Sequence, residues 1–496
     1  MKSRLWSCLC SGLMGVACLL PGRFAVAETK QSDNVQVLGR GPIHEAFAQP
    51  LPSGDPKALA TAPQPPPEPP QEQPPAQKPE GDSVQWVPGY WQWDDVSGKF
   101  IWVTGVWREP PPKRKWVPGA YRPTDKGYQW SPGYWAPQGQ DGLNYLPPPP
   151  ASVDEGPNAA APDDTANWVP GCWIWREEHY VWRPGYWLTC RPGWVWQPAH
   201  YVYSPAGCLF VAGYWDYPLE ARGVLFAPVC FSVCPAVWTP SICVGIGCLP
   251  GALFVRTGCC SYFYGDYFGA SFVACGFTPW LSVSIGRGGC CDPLWGYYRG
   301  YYAGLGVSYA SNLRTLYADR HAGRAARPPH SLHQQHAVLK QHGQSATGAE
   351  SLTVLRPLSE SAPKDRRLVE LSQQERDRQN RRATRLHQAA TQRVRSEHEL
   401  ITKHEGTSLH TSPRHVDVQV PRSQHTSHQG GQELSSSAVR KLETQQQYSV
   451  PRSLPRMEVQ HQLPTQQSVF RSQPSFQQSH RATPSFRSGG GKPHRK

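Results

Sequence analysis

The sequence lacks the short signatures that accompany the commonest catalytic and phosphate-binding sites. It contains no HExxH, GxSxG, Walker loop or GxGxxG, so zinc-protease, serine-hydrolase, P-loop and dinucleotide chemistry have no motif to support them. The acidic groups Asp94-Asp95 and Glu177-Glu178-His179 are predicted to lie in turns, where no second group at fixed spacing would orient or tune them. Glu397-His398-Glu399 is predicted on a helix, where adjacent positions do not share a face. We therefore predict no enzymatic activity, no cofactor and no metal site.

Long apolar runs are also absent. The first apolar run, residues 5–20, is shorter than the roughly 20 residues that span a bilayer. It follows Lys2 and Arg4 and precedes Ala25-Val26-Ala27, which together are typical of a cleaved signal peptide. Whether Cys18 carries a lipid stays open. We predict an exported chain without a transmembrane segment after cleavage, located in the periplasm, on the cell surface or outside the cell.

Acidic residues are scarce in the C-terminal part of the chain. Residues 311–496 contain 29 Lys and Arg against 14 Asp and Glu, whereas residues 1–310 contain 21 against 23. The net charge of +13 therefore comes from one end of the chain, which also holds 15 of the 18 histidines. Such a region is expected to bind polyanions through charge alone, without specificity.

Against these absences stands a tryptophan-rich unit that recurs eight times. The unit reads W-x-P-G-Y-W, and its copies begin at Trp86, Trp102, Trp116, Trp130, Trp168, Trp182, Trp196 and Phe210. Within each set of four the spacing is 14 residues, apart from a first step of 16. A fixed spacing indicates one structural unit that is used repeatedly.

Each unit is predicted to form a strand and a turn. Aromatic residues favour the half-buried surface of a sheet, and Pro-Gly in the middle of every unit excludes a helix. A 14-residue step divides into a strand and a turn, which predicts an antiparallel meander. Pro-Gly is predicted to mark a bulge or kink, with one extra residue that would return the aromatic pairs to one face. The glycine would leave a flat patch of backbone on which a tryptophan of the neighbouring strand can lie.

These patterns divide the chain into eight segments. They are a signal peptide (1–27), a Pro-rich disordered linker (28–83), the first repeat block (84–146), a linker (147–167), the second repeat block (168–222), a Cys- and Gly-rich β region (223–310), basic helical segments (311–405) and a low-complexity disordered tail (406–496).

The later segments carry weaker signals. Strands are predicted over residues 224–231, 253–257, 261–268 and 280–285. One helix is predicted from Ser331, with Gln334 completing a capping box and Gly343 as its end. A second helix is predicted over residues 364–403, as a solvated helix or a weak coiled coil. The fold class is therefore mainly β, followed by helical and disordered segments.

The cysteines cluster in the second block and in the region that follows it. The twelve beyond the signal peptide are Cys172, Cys190, Cys208, Cys230, Cys234, Cys243, Cys248, Cys259, Cys260, Cys275, Cys290 and Cys291. An even number in an exported chain favours disulfides. Buried thiols that pack as small apolar side chains are the alternative, and a metal site is a third, since two of the spacings approach those of metal ligands.

Two repeats carry a family resemblance. Phe100-x-Trp102-x-x-Gly105-x-Trp107 and Tyr180-x-Trp182-x-x-Gly185-x-Trp187 resemble the YXWGXW (WXXGXW) repeat family of exported bacterial proteins. The order of signal, Pro-rich spacer, aromatic repeats and basic tail is similar to its planctomycete members. The resemblance implies an architecture and no catalytic mechanism. The residues assigned to the repeat framework are Trp86, Gly89, Trp91, Trp102, Gly105, Trp107, Trp182, Gly185 and Trp187.

Three functions are consistent with these features. The first is a structural or adhesive protein of the cell envelope, cross-linked by disulfides, whose cationic tail holds acidic polymers. The second is glycan binding, with Trp93 and Trp175 stacking on sugars, although rings packed against the sheet are the simpler expectation. The third is binding of polyanions by the tail. The sequence leaves open whether the chain self-associates.

Overall fold

The computed structural model describes residues 34–49, 61–256, 261–285, 290–342, 352–361, 367–402 and 412–423. The predicted signal peptide and most of the predicted tail lie outside these residues. Short antiparallel strands dominate the described part of the chain, which confirms the mainly β fold. None of the described helices is both long and apolar enough to span a bilayer.

The strands are numbered in chain order. They are β1 (Val35–Val37), β2 (Gly41–Pro42), β3 (Thr61–Ala62), β4 (Gln71–Glu72), β5 (Gln77–Pro79), β6 (Gln85–Val87), β7 (Tyr90–Asp94), β8 (Lys99–Val103), β9 (Val106–Arg108), β10 (Arg114–Val117), β11 (Ala120–Thr124), β12 (Gly127–Ser131), β13 (Tyr134–Pro137), β14 (Leu143–Leu146), β15 (Ala166–Val169), β16 (Cys172–Arg176), β17 (His179–Arg183), β18 (Tyr186–Thr189), β19 (Val195–Gln197), β20 (His200–Ser204), β21 (Gly207–Val211), β22 (Tyr214–Asp216), β23 (Gly223–Leu225), β24 (Val229–Phe231), β25 (Val237–Trp238), β26 (Ile242–Val244), β27 (Leu253–Arg256), β28 (Ser261–Tyr264), β29 (Phe277–Pro279), β30 (Ser284–Ile285), β31 (Cys290–Cys291), β32 (Leu355–Pro357), β33 (Leu368–Glu370) and β34 (Arg414–Val416).

Helices appear mainly after the repeats. They are α1 (Ala270–Ala274), α2 (Pro293–Gly304), α3 (Tyr309–His321), α4 (Leu332–His342) and α5 (Gln373–Thr402), with 3-10 turns at Leu219–Ala221, Ile246–Gly251, Trp280–Ser282 and Leu358–Glu360.

The eight repeats form four hairpins, each built from two consecutive repeats. The first hairpin is β6–β9, the second β10–β13, the third β15–β18 and the fourth β19–β22. Within the first, β7 pairs with β8 and β6 pairs with β9, so that Trp91 lies opposite Trp102 and Trp86 opposite Trp107. Across the described residues no strand of one hairpin pairs with a strand of the next, so the antiparallel strands form separate small sheets.

Both strands of each hairpin are interrupted at the same level. Residues 88–89 lie opposite 104–105 in the first hairpin, and residues 170–171 lie opposite 184–185 in the third. We call this feature a paired break. The predicted interruption at Pro-Gly is confirmed. The predicted extra residue is wrong, because each strand leaves two residues unpaired at the break, so neither strand has one residue more than the other. In the first hairpin the two aromatic pairs also enter different apolar clusters rather than sharing one face.

An indole of the opposite strand covers the glycine of each break. A Cβ on Gly105 would lie 2.5 Å from Trp86 Cζ2, and a Cβ on Gly133 would lie 2.3 Å from Trp116 Cζ2. The same contact recurs at seven glycines, namely Gly89, Gly105, Gly119, Gly133, Gly171, Gly185 and Gly213. The predicted packing of tryptophan on bare backbone is therefore confirmed.

Burial differs between the two repeat blocks. Seven of the eight tryptophans in the first block are buried, whereas all eight in the second block are only half-buried. Ring pairs across the hairpins are mostly edge-to-face, with centroids about 5 Å apart in Trp86–Trp107 (5.1 Å) and Trp173–Trp182 (5.1 Å). Such pairs add to the burial of apolar area.

Extended segments outside the repeats widen three of the hairpins. Strands β24 and β1 extend the first hairpin, β3 the second, and β14 and β34 the fourth. Neither sheet of the third hairpin gains a strand from the described residues. β34 belongs to the predicted disordered tail, and Val418 and Val420 after it are buried, so residues 412–423 correct that prediction.

The prediction of a disordered linker over residues 28–83 is wrong for residues 34–49 and 61–83. These residues form β1–β5, and Ile43 and Phe47 are fully buried. The segment has too few apolar residues for a core of its own, but it packs into the core that the hairpins provide. Residues 28–33 and 50–60 lie outside the described part of the chain.

The region after the repeats agrees with the predicted strands and adds three helices. β24, β27 and β28 fall within the predicted spans, and β23 begins one residue before its span, while residues 280–285 begin as a 3-10 turn and end in β30. Helices α1, α2 and α3 were not predicted individually. Asp292 caps α2 by accepting hydrogen bonds from Leu294 N (3.0 Å) and Trp295 N (3.1 Å), and Pro293 occupies its first turn.

The two predicted helices are present. Ser331 Oγ accepts from Gln334 N (3.2 Å), and Gln334 Oε1 accepts from His330 N (2.6 Å) instead of the Ser331 N that a capping box uses. Gly343 lies outside the described residues. Helix α5 is not a solvated helix, because Leu386 and Arg393 on one of its faces are fully buried. It begins later than predicted, after β33.

We expect Gly133→Ala to destabilise the protein by about 1–3 kcal/mol, because the new Cβ would overlap Trp116 Cζ2 in a packed contact. Gly139→Ala, at an exposed position with no atom within 4 Å of the new Cβ, is the matched control and should change stability by less than about 0.5 kcal/mol. Urea unfolding followed by tryptophan fluorescence measures both. Equal stabilities of the two variants would contradict the indole-on-glycine packing.

Candidate functional site at the paired breaks

The paired break directs backbone N–H groups away from the strand ladder. In the first hairpin the carboxylate of Glu72 accepts hydrogen bonds from three donors at the break. It accepts from Gly89 N (2.7 Å), Gly105 N (3.0 Å) and Trp102 Nε1 (2.9 Å). Two glycine amides and one indole thus form a site for a carboxylate.

The second hairpin holds a carboxylate in the same way. Glu45 accepts from Trp130 Nε1 (2.8 Å) and from Gly133 N (2.8 Å). Trp130 and Gly133 correspond to Trp102 and Gly105 of the first hairpin. A second, independent acidic residue therefore occupies the equivalent position.

The third hairpin holds a carboxylate less completely. Asp154 Oδ2 accepts from Gly171 N (2.7 Å), while its Oδ1 accepts from Gly156 N (2.9 Å) in its own turn. Among the described residues, no acceptor is recorded for Trp182 Nε1 or for the Gly185 amide. The aspartate side chain is one methylene shorter than glutamate and reaches one of the three donors.

The fourth hairpin has lost the site. Phe210 stands where the other hairpins have the donating tryptophan, and Ala199 stands where they have the glycine that this ring covers. Instead of a carboxylate, the guanidinium of Arg114 approaches this break and donates to Ala212 O (3.0 Å) and Gly213 O (3.2 Å).

Carbonyl groups at the breaks bind the opposite charge. Arg393 of α5 donates to Pro118 O (3.0 Å) and Pro132 O (3.2 Å), which are the two proline carbonyls of the second break. Glu397 bonds Arg393 Nε (3.0 Å) and also contacts Arg122 and Tyr145. Arg393, Glu397 and Arg122 are all buried, so these charges compensate one another inside the protein.

Burial changes the titration of the groups at the breaks. Desolvation raises the pKa of Glu45 and the pKa of Glu72 to about 7, and the hydrogen bonds to these carboxylates oppose the shift. Desolvation lowers the pKa of His44 to about 4, while its bond to Pro88 O (3.0 Å) opposes this. The pKa shifts thus have a structural cause.

The tryptophans proposed for glycan stacking are both half-buried. Trp93 packs edge-to-face on Phe100 with centroids 5.1 Å apart, and Trp175 packs on Tyr180 at 4.8 Å. These rings thus pack against neighbouring aromatics of the sheet.

The acidic groups Asp94-Asp95 and Glu177-Glu178, considered for catalysis, lie at turns. Asp94 accepts from Ser97 Oγ (2.6 Å) in a turn, and Asp95 pairs with Arg256 (2.6 Å). Glu177 and Glu178 occupy an exposed turn with positive φ angles. Among the described residues, no group of three or more His, Cys, Asp or Glu side chains is arranged to hold a metal ion.

Seven of the described cysteines are free thiols. Cys172, Cys190, Cys208, Cys230, Cys234, Cys243 and Cys275 are thiols, and Cys248 Sγ lies 3.4 Å from Thr353 O. The disulfides that were predicted are therefore not observed at these positions. Cys208 and Cys243 are buried, which fits the alternative of thiols packed as small apolar side chains. Cys259, Cys260 and the side chains of Cys290 and Cys291 lie outside the description.

Sequence reasoning found one half of the site and missed the other. The tryptophans and glycines were identified from their repetition. Glu45, Glu72 and Asp154 were missed, because they lie in segments whose composition predicts a linker and which hold other acidic residues as well. The signal available was the position of each acid near a proline before a repeat block, which is too common a pattern to select them.

Comparison with known proteins supports the repeat assignment. A family model described as the WXXGXW repeat (2 copies) matches residues 86–108, 126–142, 167–187 and 191–215. Three of these segments lie on the first, third and fourth hairpins, which agrees with two repeats per hairpin. Comparisons with curated proteins and with solved structures give no match.

We expect Glu72→Gln to reduce the pH dependence of stability. Because burial raises the pKa of Glu72 from 4.5 to about 7, the folded chain keeps a proton that the unfolded chain has released. The resulting stabilisation is complete below about pH 4.5 and is lost as the pH rises through about 7. Glutamine cannot release a proton, so stability should fall less between about pH 5 and about pH 8, by on the order of 3 kcal/mol at most.

The matched control for this substitution is Glu68→Gln, an exposed acid in the same segment. His44, whose pKa burial lowers, contributes in the opposite direction in all variants, because its stabilisation is lost as the pH falls from 6.5 towards about 4. Urea midpoints across the pH range give the comparison. Parallel profiles for Glu72→Gln and the wild type would contradict the assigned shift.

We expect cysteine labelling by a maleimide to follow burial. Cys234 and Cys275 are exposed and should react first, whereas Cys208, whose pKa burial raises to about 12, and the buried Cys243 should react only after unfolding. Mass spectrometry of peptides gives the order. Cysteines that resist labelling in urea until dithiothreitol is added would instead establish the disulfides that composition predicts.

Proposed function

We propose that this chain, whose residues 86–215 carry the WXXGXW repeat, is an exported, non-catalytic structural and interaction protein of the cell envelope. Its hairpins serve as a scaffold that holds extended segments by their carboxylates. Its basic C-terminal region serves to hold acidic envelope polymers.

The use of the breaks supports a scaffold role. In the first and second hairpins the amide and indole donors bond buried carboxylates of the chain itself, and these bonds fix segments 34–49 and 61–80 on the hairpins. A catalytic carboxylate needs access to a substrate, but Glu45 and Glu72 are buried. This arrangement is the observation that carries the proposal.

The charge distribution supports the second part of the proposal. Residues 311–496 hold a surplus of 15 positive charges (29 Lys and Arg less 14 Asp and Glu), and the histidines add more at low pH. Binding by such a region releases counterions, so it weakens steeply as salt is raised. Export from the cytoplasm, to the periplasm, the cell surface or the outside, is supported by the N-terminal pattern of residues 1–27.

Glycan binding is the second candidate, and one observation favours it. The rings of the second block are half-buried rather than buried, so the third hairpin offers aromatic edges to the solvent. Trp93 and Trp175 remain the positions to test, because partly accessible rings can stack on sugars.

We expect the protein to fractionate with the cell envelope and to be released by about 1 M salt, where the Debye length falls to about 3 Å. Removal of residues 424–496, which hold 10 Lys and Arg against 3 Asp and Glu, should lower the salt needed for release. Release by dithiothreitol alone would establish disulfide cross-links. Recovery in the cytoplasmic fraction would overturn the proposal.

Pull-down by envelope glycans that is abolished by Trp93→Ala and Trp175→Ala would favour the second candidate.

A further inference from the structure

We propose that the break of the third hairpin is a binding site for a glutamate side chain on an extended, proline-rich polypeptide. The incoming carboxylate displaces Asp154 and accepts from Gly171 N, Gly185 N and Trp182 Nε1. This inference rests on the proposed scaffold function and names the partner chemistry of one of its hairpins.

The donors at this break are arranged as in the first hairpin. Trp182 covers Gly171, with Cζ2 2.2 Å from where a Cβ would lie, just as Trp102 lies against Gly89. In the first hairpin the equivalent three donors all bond one glutamate. The third hairpin therefore has the geometry for three hydrogen bonds to a carboxylate, of which Asp154 makes one.

The exchange requires only that the side chain of Asp154 leaves the break. Its segment stays on the hairpin through Ala151 O and Ala159 O, which accept from Trp173 Nε1 (3.0 Å) and Trp187 Nε1 (3.0 Å). One oxygen of Asp154 bonds Gly156 N in its own turn, and that bond survives if the side chain leaves Gly171. A glutamate gains two bonds that Asp154 does not make, and bonds to an ionised acceptor are the stronger kind. Displacement also avoids placing two carboxylates side by side.

Two nitrogens of a guanidinium close in sequence to the break make no hydrogen bond with the described residues. Nε and Nη2 of Arg183 are buried, and neither makes a hydrogen bond with any of the described residues. Arg183 lies two positions before Gly185, and its guanidinium carbon is 6.0 Å from the centroid of the Tyr186 ring. A guanidinium with two nitrogens that lack a hydrogen-bond acceptor attracts an acidic ligand more than a neutral one.

The edges of the third hairpin suit an extended polypeptide. β16 and β17 pair only with each other among the described strands, whereas the inner strands of the other three hairpins gain neighbours. In the second hairpin Glu45 arrives on a turn. In the first hairpin the carboxylate arrives on an extended segment, because Glu72 belongs to β4, which lies between Pro70 and Pro74 and pairs with β25. A peptide of that kind can bring its backbone to an open edge and its glutamate to the break.

The experiment uses the full chain and a labelled peptide copied from residues 69–78, which contains Glu72 as its only acid. Fluorescence anisotropy should show saturable binding to the wild type. Binding should weaken by at least about tenfold when the peptide glutamate is replaced by glutamine, or when the protein carries Trp182→Phe, since each removes a charge-assisted bond. Asp154→Ala should strengthen binding several-fold, because it frees Gly171 N.

The control is Trp194→Phe, a half-buried ring just before β19 that is not among the donors of the break. It should leave binding unchanged, and circular dichroism should show that both tryptophan variants are folded. Equal binding to the wild type and Trp182→Phe, or no binding to Asp154→Ala at millimolar peptide, would overturn the proposal. Saturable binding of labelled polygalacturonate without any binding of the peptide would assign the site to an acidic polysaccharide and would also overturn it. None of these outcomes changes where the protein fractionates, so the proposed function is tested separately.

Discussion

The contact between an indole edge and a bare glycine on the opposite strand is the interaction on which this architecture depends. The indole needs the space that a Cβ would fill, with less than 3 Å available at Gly105 and at Gly133. Because the ring lies over the backbone, the strand cannot continue its ladder there, and both strands break at the same level. The fixed spacing of the repeat follows from this contact, because the tryptophan of each strand must lie opposite the glycine of the other strand.

An interrupted strand ladder leaves backbone N–H and C=O groups that need hydrogen-bond partners inside the protein. Other segments of the chain must therefore provide side chains that bond these groups. The amides of the first break are satisfied by Glu72, and the proline carbonyls of the second by Arg393. Leaving such groups unpaired costs about 1–3 kcal/mol each. The segments before the repeats and helix α5 are therefore parts of the hairpin fold, even though their composition resembles that of linkers and tails.

The sequence predicts those parts of the fold that depend on local repetition. The strands, the breaks and the covered glycines could be inferred from residues such as Trp182 and Gly185. Helix α2 was missed although Asp292 followed by proline is a start signal, because aromatic and glycine residues suggested strands. Helix α5 was judged solvated because its buried face includes Arg393 and Glu397, whose partners lie far away in sequence. A helix face that is buried through such long-range ion pairs has no periodic apolar pattern from which its burial could be predicted.

The fourth hairpin argues that the ring, the glycine and the carboxylate form one unit. Phe210 replaces the tryptophan, and Ala199 replaces the glycine that the tryptophan would cover. A smaller ring thus occurs together with a residue that carries a Cβ. Phenylalanine has no N–H to donate, and Arg114 bonds the carbonyls of this break instead. Change in one member thus accompanies change in the other two. A hairpin that keeps the tryptophan and both glycines, as the third does with Trp182, therefore keeps the capacity for a carboxylate even where its own aspartate uses only part of it.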